Sequence, residues 1–270
     1  MFLTPVATAA DRVGLSLLAS CTRLGTFATF GARALTGAVR PPYEPREILR
    51  HLFDFGYRSA PLIVLAGLAV GVVLSMHTRA SLERFGAEAM IPAGLAIAMV
   101  RETGPLITGL LVSGRVGAGI GAELGAMRVS EQIDALEATA VDAFHYLVVT
   151  RMVALMCVMP LLTVMMDGAG IVGGYLAEAV ASGMSWSQYL ERSFAYLGYA
   201  DLVPSTLKTV VFGYLIAVVG GYLGFATARG TEGVGRASTR SVVMSSMLII
   251  ASDVVLVRVI FFFFYPQVSG

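Results

Sequence analysis

Five long apolar segments constrain the fold of this chain more than any other feature. A helix needs about 20 mostly apolar residues to cross a bilayer, and each segment is near or above that length with at most two charged residues. Only 14% of the 270 residues are charged, against about a quarter in soluble domains. Residues 1–270 are therefore predicted to form one all-α, polytopic membrane domain. The predicted spans are residues 59–78, 90–114, 146–177, 202–228 and 241–265.

Arginines are distributed unevenly between the two sides of these spans. Seven arginines precede the first span. The four connections that follow, counted together with the span ends beside them, hold two, three, one and three arginines in turn. None follows residue 265. Because the more basic connections stay in the cytoplasm, the N-terminus is predicted to be cytoplasmic and the C-terminus to lie outside.

The segment before the first span has its own pattern. In residues 8–39, arginines recur every ten or eleven residues among apolar and small side chains. This spacing favours a helix lying along the cytoplasmic interface over a sixth span. Pro45 is predicted to open a second short helix that runs into the first span. No signal peptide is expected, since residues 1–10 lack a basic segment followed by an apolar core.

The sequence does not predict that this chain supplies its own energy. A nucleotide-binding P-loop ends in Gly-Lys-Ser/Thr, whereas the only lysine, Lys208, follows a leucine. Residues 117–122 match the loose dinucleotide pattern GxGxxA, but they follow a membrane segment instead of a strand. The three histidines are widely spaced and no nucleophile stands beside a base. No catalytic residue, metal site or cofactor is predicted.

Two further classes of feature carry little functional signal. The net charge of +1 gives no reason to expect a nucleic-acid partner. Cys21 and Cys157 lie in apolar helical sequence, where buried free thiols are predicted instead of a disulfide or metal site.

The region 101–142 leaves the membrane segment and becomes polar and acidic. Val129, Ile133, Leu136 and Ala140 recur at helical spacing, which predicts an amphipathic cytoplasmic helix over residues 129–139, with Ser130 as its N-cap. Asp142 is predicted to start the next helix. Membrane-surface helices are usually basic, so docking into a basic-rimmed groove of a soluble partner is favoured over lying on the membrane. The residues predicted for that contact are Ser130, Glu131, Gln132, Ile133, Asp134, Leu136 and Glu137.

Gly117, Gly121 and Gly125 are spaced four residues apart. A doubled GxxxG pattern makes one smooth helix face that lets backbones approach closely. Packing within the chain and contact between subunits both use such a face, and packing within the chain is favoured.

Ionisable residues inside spans are costly and point to function. Glu102 and Lys208, on different spans, are predicted to meet across the bundle, with Arg101 beside the former. One interpretation is a structural ion pair; the other is a polar element in a cavity that handles an amphiphile's headgroup. Helix irregularity near residues 103–105 favours a cavity.

Residues 104–142, followed by 160–163, 207–213 and 239–243, resemble the MlaE-type permease family. These proteins are membrane subunits of ABC transporters that act with MCE-domain proteins in lipid trafficking. The resemblance implies an N-terminal interfacial helix and five spans, a homodimer, two cytoplasmic ATPase subunits and an MCE oligomer on the other side. The 129–139 helix becomes the coupling helix that contacts the ATPase.

The resemblance predicts a permease subunit of an ATP-driven transporter that moves phospholipid between a bacterial inner membrane and a periplasmic MCE partner. Its polar pocket residues are matched to Glu102 and Lys208, with Arg101 beside them. Candidates for acyl-chain contact are Leu65, Leu68, Val72, Leu248 and Val255.

A second hypothesis is an ion-coupled transporter or channel with Glu102, Lys208 and Asp253 as a relay. The lack of an inverted repeat with paired broken helices counts against it. On the first hypothesis, Asp253 and Asp167 are predicted only to cap or pack. A membrane scaffold without a transport role would not need buried charges.

Overall fold

The computed structural model describes residues 4–41, 43–228 and 230–264, and every regular element in these ranges is helical. The predicted all-α class is therefore confirmed. Two compact units divide the chain between Tyr43 and Glu44.

The first unit contains one long helix, α1 (Thr4–Val39). Near its end the Tyr43 hydroxyl donates to the Val39 carbonyl at 2.8 Å, and the Arg40 amide donates to the Gly37 carbonyl at 3.1 Å. Leucines along its middle are exposed. A helix here agrees with the pattern of residues 8–39, and its position along the membrane interface stays a prediction.

The second unit is a bundle of longer and shorter helices. Three π-helical segments join or extend them: Met99–Thr103, Ser113–Gly117 and His145–Val149. Its α-helices are α2 (Pro45–Leu82), α3 (Ile91–Ala98), α4 (Gly104–Val112), α5 (Ala118–Val129), α6 (Gln132–Ala138), α7 (Thr150–Ser182), α8 (Trp186–Phe194), α9 (Tyr199–Phe225) and α10 (Thr231–Phe264).

Five helical runs of the described residues are long and apolar enough to cross a membrane, as predicted. The predicted fifth span ended at residue 265, which lies outside the described residues. The runs are Pro45–Phe85, Glu88–Val129, His145–Ser182, Tyr199–Phe225 and Thr231–Phe264.

Local sequence sets the ends of several helices. Pro45 occupies the first turn of α2, where its missing N–H leaves no bond unmade. Gly183 ends α7 in the left-handed conformation, with φ 66°, that glycine adopts without strain. Asp142 accepts a hydrogen bond from the His145 amide at 3.1 Å, which confirms its predicted role at the start of a helix.

The centre of the bundle is the contact between α2 and α7. A Cβ added at Gly71 would lie 2.7 Å from the Gly170 carbonyl carbon, and one added at Gly173 would lie 2.9 Å from the Leu68 carbonyl carbon. Glycine therefore lets the two backbones touch, as small residues do between membrane helices. Two thirds of the most apolar stretch of α7 is buried (67%), against 11% for α10. The core thus surrounds α7, and α10 lies at its edge.

The glycine face predicted at residues 117–125 packs within the chain, as favoured. A Cβ on Gly121 would collide with the Ser241 hydroxyl and approach the Ala237 carbonyl to 3.0 Å, and both residues belong to α10. Gly125 faces Thr227 and Ala237.

The prediction for the two cysteines was half wrong. Cys21 and Cys157 are free, but both are exposed on their helices. In a membrane bundle an apolar stretch of sequence also covers the outer surface of a helix, so apolar neighbours do not indicate burial.

We expect Gly71→Ala to lower the free energy of unfolding by about 1–3 kcal/mol, because its methyl group meets the backbone of α7. The measurement is thermal unfolding in detergent. Gly168→Ala is the matched control, since nothing lies within 4 Å of its added Cβ. An equal melting temperature for the two variants would contradict the proposed closeness of α2 and α7.

Candidate functional site

A buried cluster of charges joins three parts of the bundle. Lys208 lies on α9, Asp253 on α10, and Arg101 and Glu102 on the π-helical segment Met99–Thr103. π-helical turns often occur at functional sites. This segment is the irregularity that the sequence predicted close to Glu102.

The Lys208 ammonium is the centre of the cluster. Its Nζ forms an ion pair with Glu102 Oε2, donates to the Arg101 carbonyl at 2.9 Å, and lies 3.0 Å from Asp253 Oδ1. The predicted meeting of Glu102 and Lys208 is therefore confirmed. The Lys208 side chain is 1% exposed and that of Asp253 is 8% exposed, whereas 44% of the Glu102 side chain is exposed. Only the Glu102 end of the pair is open to its surroundings.

Arg101 belongs to a second pair beside the first. Its Nη2 and Nε lie 2.6 and 2.7 Å from Asp201 Oδ1. Asp201 is buried, and its other oxygen accepts from the Gly198 amide at 2.9 Å at the start of α9. Asp201 was not among the predicted site residues. In the sequence it is marked only as a lone carboxylate in the first turn of an apolar helix.

A cavity of about 250 Å³ opens beside these groups. Arg101, Glu102, Lys208 and Ser205 form its polar side. Its apolar side comes from α3 and α10, and the residues there are Ile97, Ala98, Val257, Ile260 and Phe261. A polar floor with apolar walls suits an amphiphile.

The apolar residues chosen from the sequence lie elsewhere. None of Leu65, Leu68, Val72, Leu248 and Val255 lines this cavity. Val72 lines a separate groove between α2 and α7, and Leu65 and Val255 are exposed on the bundle surface. Apolar residues that face a cavity and those that face lipid look alike in sequence. Acyl-chain contact by these five residues stays a prediction.

Asp253 and Asp167 were both predicted only to cap or pack. The prediction was wrong for Asp253, which pairs with the Lys208 ammonium, whereas Asp167 does pack. A Cβ on Gly104 would collide with its carboxylate, so this glycine makes room for it. The Asp167 side chain is buried, and its oxygens have no hydrogen-bond partner within the described ranges.

The other predicted functional element is α6, between the second and third spans. Ser130, Glu131, Gln132, Asp134 and Glu137 are exposed, Leu136 is half-buried and Ile133 is buried. The helix is thus anchored by one apolar side chain and presents an acidic surface. Asp134 is held by Arg128 at 2.5 Å.

The N-cap prediction for this helix was wrong. The Ser130 hydroxyl donates to the Ala126 carbonyl at 2.8 Å, so Ser130 completes the end of α5. Glu131, with φ 60°, precedes α6, and Ala140, with φ 61°, follows it. Left-handed backbone at a non-glycine residue costs about 1–2 kcal/mol. Strain of this kind concentrates at functional segments.

We expect Lys208→Met to lower the free energy of unfolding by about 3 kcal/mol or more, because it leaves the Asp253 carboxylate buried without its cation. The double variant Lys208→Met/Asp253→Leu should regain most of that loss, since it leaves no buried carboxylate without its cation at this position. Thermal unfolding of both in detergent tests this. A double variant no more stable than the single one would contradict the ion pair.

Comparison with known proteins agrees with the predicted resemblance. The family model described as Permease MlaE matches residues 48–259. A probable ABC transporter permease protein of Rickettsia bellii is 36% identical over 252 residues, which cover 93% of this chain and 97% of the relative. The intermembrane phospholipid transport system permease protein MlaE of Haemophilus influenzae is 31% identical over 239 residues, 87% of this chain and 90% of the relative.

A plant protein is also similar. The chloroplastic protein TRIGALACTOSYLDIACYLGLYCEROL 1 of Arabidopsis thaliana is 34% identical over 211 residues, 78% of this chain and 60% of the relative. The match with the family model covers most of the bundle, including both ion pairs and α6. The chain therefore belongs to the MlaE permease family and is a multi-pass membrane permease of the ABC transporter class.

Proposed function

We propose that this chain is the permease subunit of an ATP-driven transporter that moves phospholipid through the cavity beside Lys208. The observation that carries the proposal is a buried ammonium whose exposed partner, Glu102, opens into a cavity with apolar walls. The relative from Haemophilus influenzae is named as part of a phospholipid transport system, which supports the same cargo.

The headgroup would contact the polar side of the cavity. Arg101 is one-third exposed (33%) and Glu102 nearly half exposed (44%), so both can meet a ligand while Lys208 stays buried. The acyl chains would follow the wall formed by Val257, Ile260 and Phe261. The cavity would then bind both the headgroup and the acyl chains while the buried Lys208 ammonium stays in place.

The energy would come from a separate ATPase in the cytoplasm that contacts α6. The acidic, exposed residues of α6 suit a basic-rimmed groove, and Ile133 ties the helix to the bundle. The left-handed residues at its two ends separate α6 from the neighbouring helices, so it forms a short helix of its own between the second and third spans. The N-terminus is then cytoplasmic and the C-terminus periplasmic, in a bacterial inner membrane.

Two further partners belong to the proposal: a second copy of this chain and a periplasmic MCE-domain oligomer. The exposed stripe Val243, Met247, Ile250 and Val254 runs along α10 at helical spacing. Because α10 also forms a cavity wall, a second copy on this stripe would lie beside the cavity. A homodimer would thus flank the lipid path, and the MCE partner would receive or deliver the lipid.

The ion-relay alternative has one observation in its favour. Glu102, Lys208 and Asp253 do meet at a single nitrogen. In a relay, however, the lysine must exchange its partners, and here its ammonium is enclosed by two carboxylates and a carbonyl. Ion flux in vesicles without nucleotide would distinguish this alternative from ATP-driven lipid transfer.

We expect a photo-crosslinking residue at Phe261 to capture phospholipid that survives detergent washing, because Phe261 lines the cavity. The neighbouring Phe262 is 68% exposed and is not part of the cavity wall, so the same crosslinker there should lose its lipid on washing. Mass spectrometry of the adducts is the measurement. Equal yields at the two positions would contradict a lipid-binding cavity.

We expect Glu137→Lys to reduce copurification of the ATPase about fivefold, because a positive charge would face the basic rim of its groove. Glu191→Lys, an exposed charge reversal on α8, is the control and should leave copurification unchanged. Quantitative mass spectrometry of the purified complex gives the ratio. An unchanged ratio for Glu137→Lys would count against docking through α6.

A further inference from the structure

A second cavity, of about 400 Å³, lies at the other end of the bundle from Lys208. It is enclosed by the first turns of α2, the stretch from Arg115 to Met127, and the helical segment that leads into α7. Arg115 follows Arg101 by 14 residues of helix, which places the two about 20 Å apart along the axis. This cavity therefore lies on the α6 side of the membrane.

Guanidinium groups outnumber carboxylates in the cavity. Among the described residues three carboxylates line it, and each already has an arginine beside it. The pairs are Glu47 with Arg50 at 3.7 Å, Asp54 with Arg58 at 3.4 Å, and Glu123 with Arg151 at 2.7 Å.

The fourth guanidinium in the cavity has a neutral partner. Arg115 donates from Nη1 to the Ser59 hydroxyl at 2.5 Å, and no carboxylate lies within ion-pair distance of it among the described residues. The cavity thus holds one positive charge more than its carboxylates balance, apart from His51. An uncompensated cation at the membrane boundary favours an anion.

Arg151 supplies a second, independent feature. It is 4% exposed, its Nη1 donates to the Leu147 carbonyl at 2.7 Å, and its Nη2 is held by Glu123. Its Nε is buried and has no acceptor in the part of the chain that the structure describes. Because this guanidinium is bound to only one carboxylate and one carbonyl, it adds to the positive potential at the cavity wall.

Much of the remaining wall is apolar, and it has open space. Val116, Ile120 and Leu147 line it, and nothing lies within 4 Å of a Cβ added at Gly119. The cavity therefore combines strong anion donors with a surface that an alkyl chain can follow.

We propose that this cavity binds a phosphate group, carried by an anionic phospholipid headgroup or free in solution, with Arg115 as its donor and Arg151 as a nearby positive charge. Guanidinium groups match phosphate oxygens with paired, charge-assisted hydrogen bonds. The site lies beyond the proposed transport cavity at Lys208 and does not depend on its role.

The test places a photo-crosslinking residue at Met127, which lines the cavity, in the purified full chain. Radiolabelled phosphatidylglycerol and phosphatidylcholine are the lipid probes, and inorganic phosphate in equilibrium dialysis is the soluble probe. Arg115→Gln removes a donor, and Arg258→Gln, on the exposed side of α10, is its charge-matched control. Gly119→Leu fills the cavity without removing a charge, and Gly94→Leu is its control, since Gly94 also has open space.

We expect Arg115→Gln and Gly119→Leu each to lower the phosphatidylglycerol adduct about fivefold, with both controls unchanged. The same loss in phosphate dialysis without a lipid adduct would assign the site to free phosphate. If Arg115→Gln fails to fold, Gly119→Leu decides. If the yield of the lipid adduct and the amount of phosphate bound in dialysis are the same for all variants, the proposal is overturned. Arg115→Gln and Gly119→Leu should leave the Phe261 adduct at the Lys208 cavity unchanged, so failure at one cavity is distinct from failure at the other.

Discussion

The arrangement of the bundle depends on how one ammonium group is neutralised inside an apolar interior. An isolated charge there is prohibitively costly, and Lys208 is almost completely buried. Glu102, Asp253 and the Arg101 carbonyl surround it from the π-helical segment and α10. Three parts of the bundle are therefore fixed to one atom. A shift of α9 by one residue would separate all three contacts at once.

The residues around Lys208 differ in exposure, which explains how one cluster of charges can both hold the helices in place and form part of a cavity wall. Lys208 and Asp253 are enclosed, so they set the positions of the helices. Glu102 and Arg101 are partly open, and each keeps one side on its internal partner while the other faces the cavity. The two interpretations that the sequence left open, a structural pair and a polar cavity wall, are therefore compatible in one group of residues.

Sequence patterns predicted the features that depend on composition, on spacing along one helix, or on opposite charges within apolar spans. Five apolar runs, the Glu102–Lys208 pair, the glycine face at residues 117–125 and the role of Asp142 all follow from such patterns. Features that depend on which side of a helix faces inward were missed. Arg101 pairs with Asp201, whose position in a first turn suggested only local capping. Ser130 serves the helix before it because left-handed Glu131 separates α5 from α6. The cavity wall formed by Val257 and Phe261 is likewise indistinguishable from lipid-facing sequence.

The glycine contact between α2 and α7 restricts how the bundle can change shape. Their backbones touch at Gly71 and Gly170, and again at Leu68 and Gly173. Sliding one helix by a single position would bring a side chain against a main chain that has no space for it. The α2–α7 pair is therefore expected to move as one rigid unit. Because far less of α10 is buried, we expect changes in the shape of the bundle to involve α10 before they separate this pair.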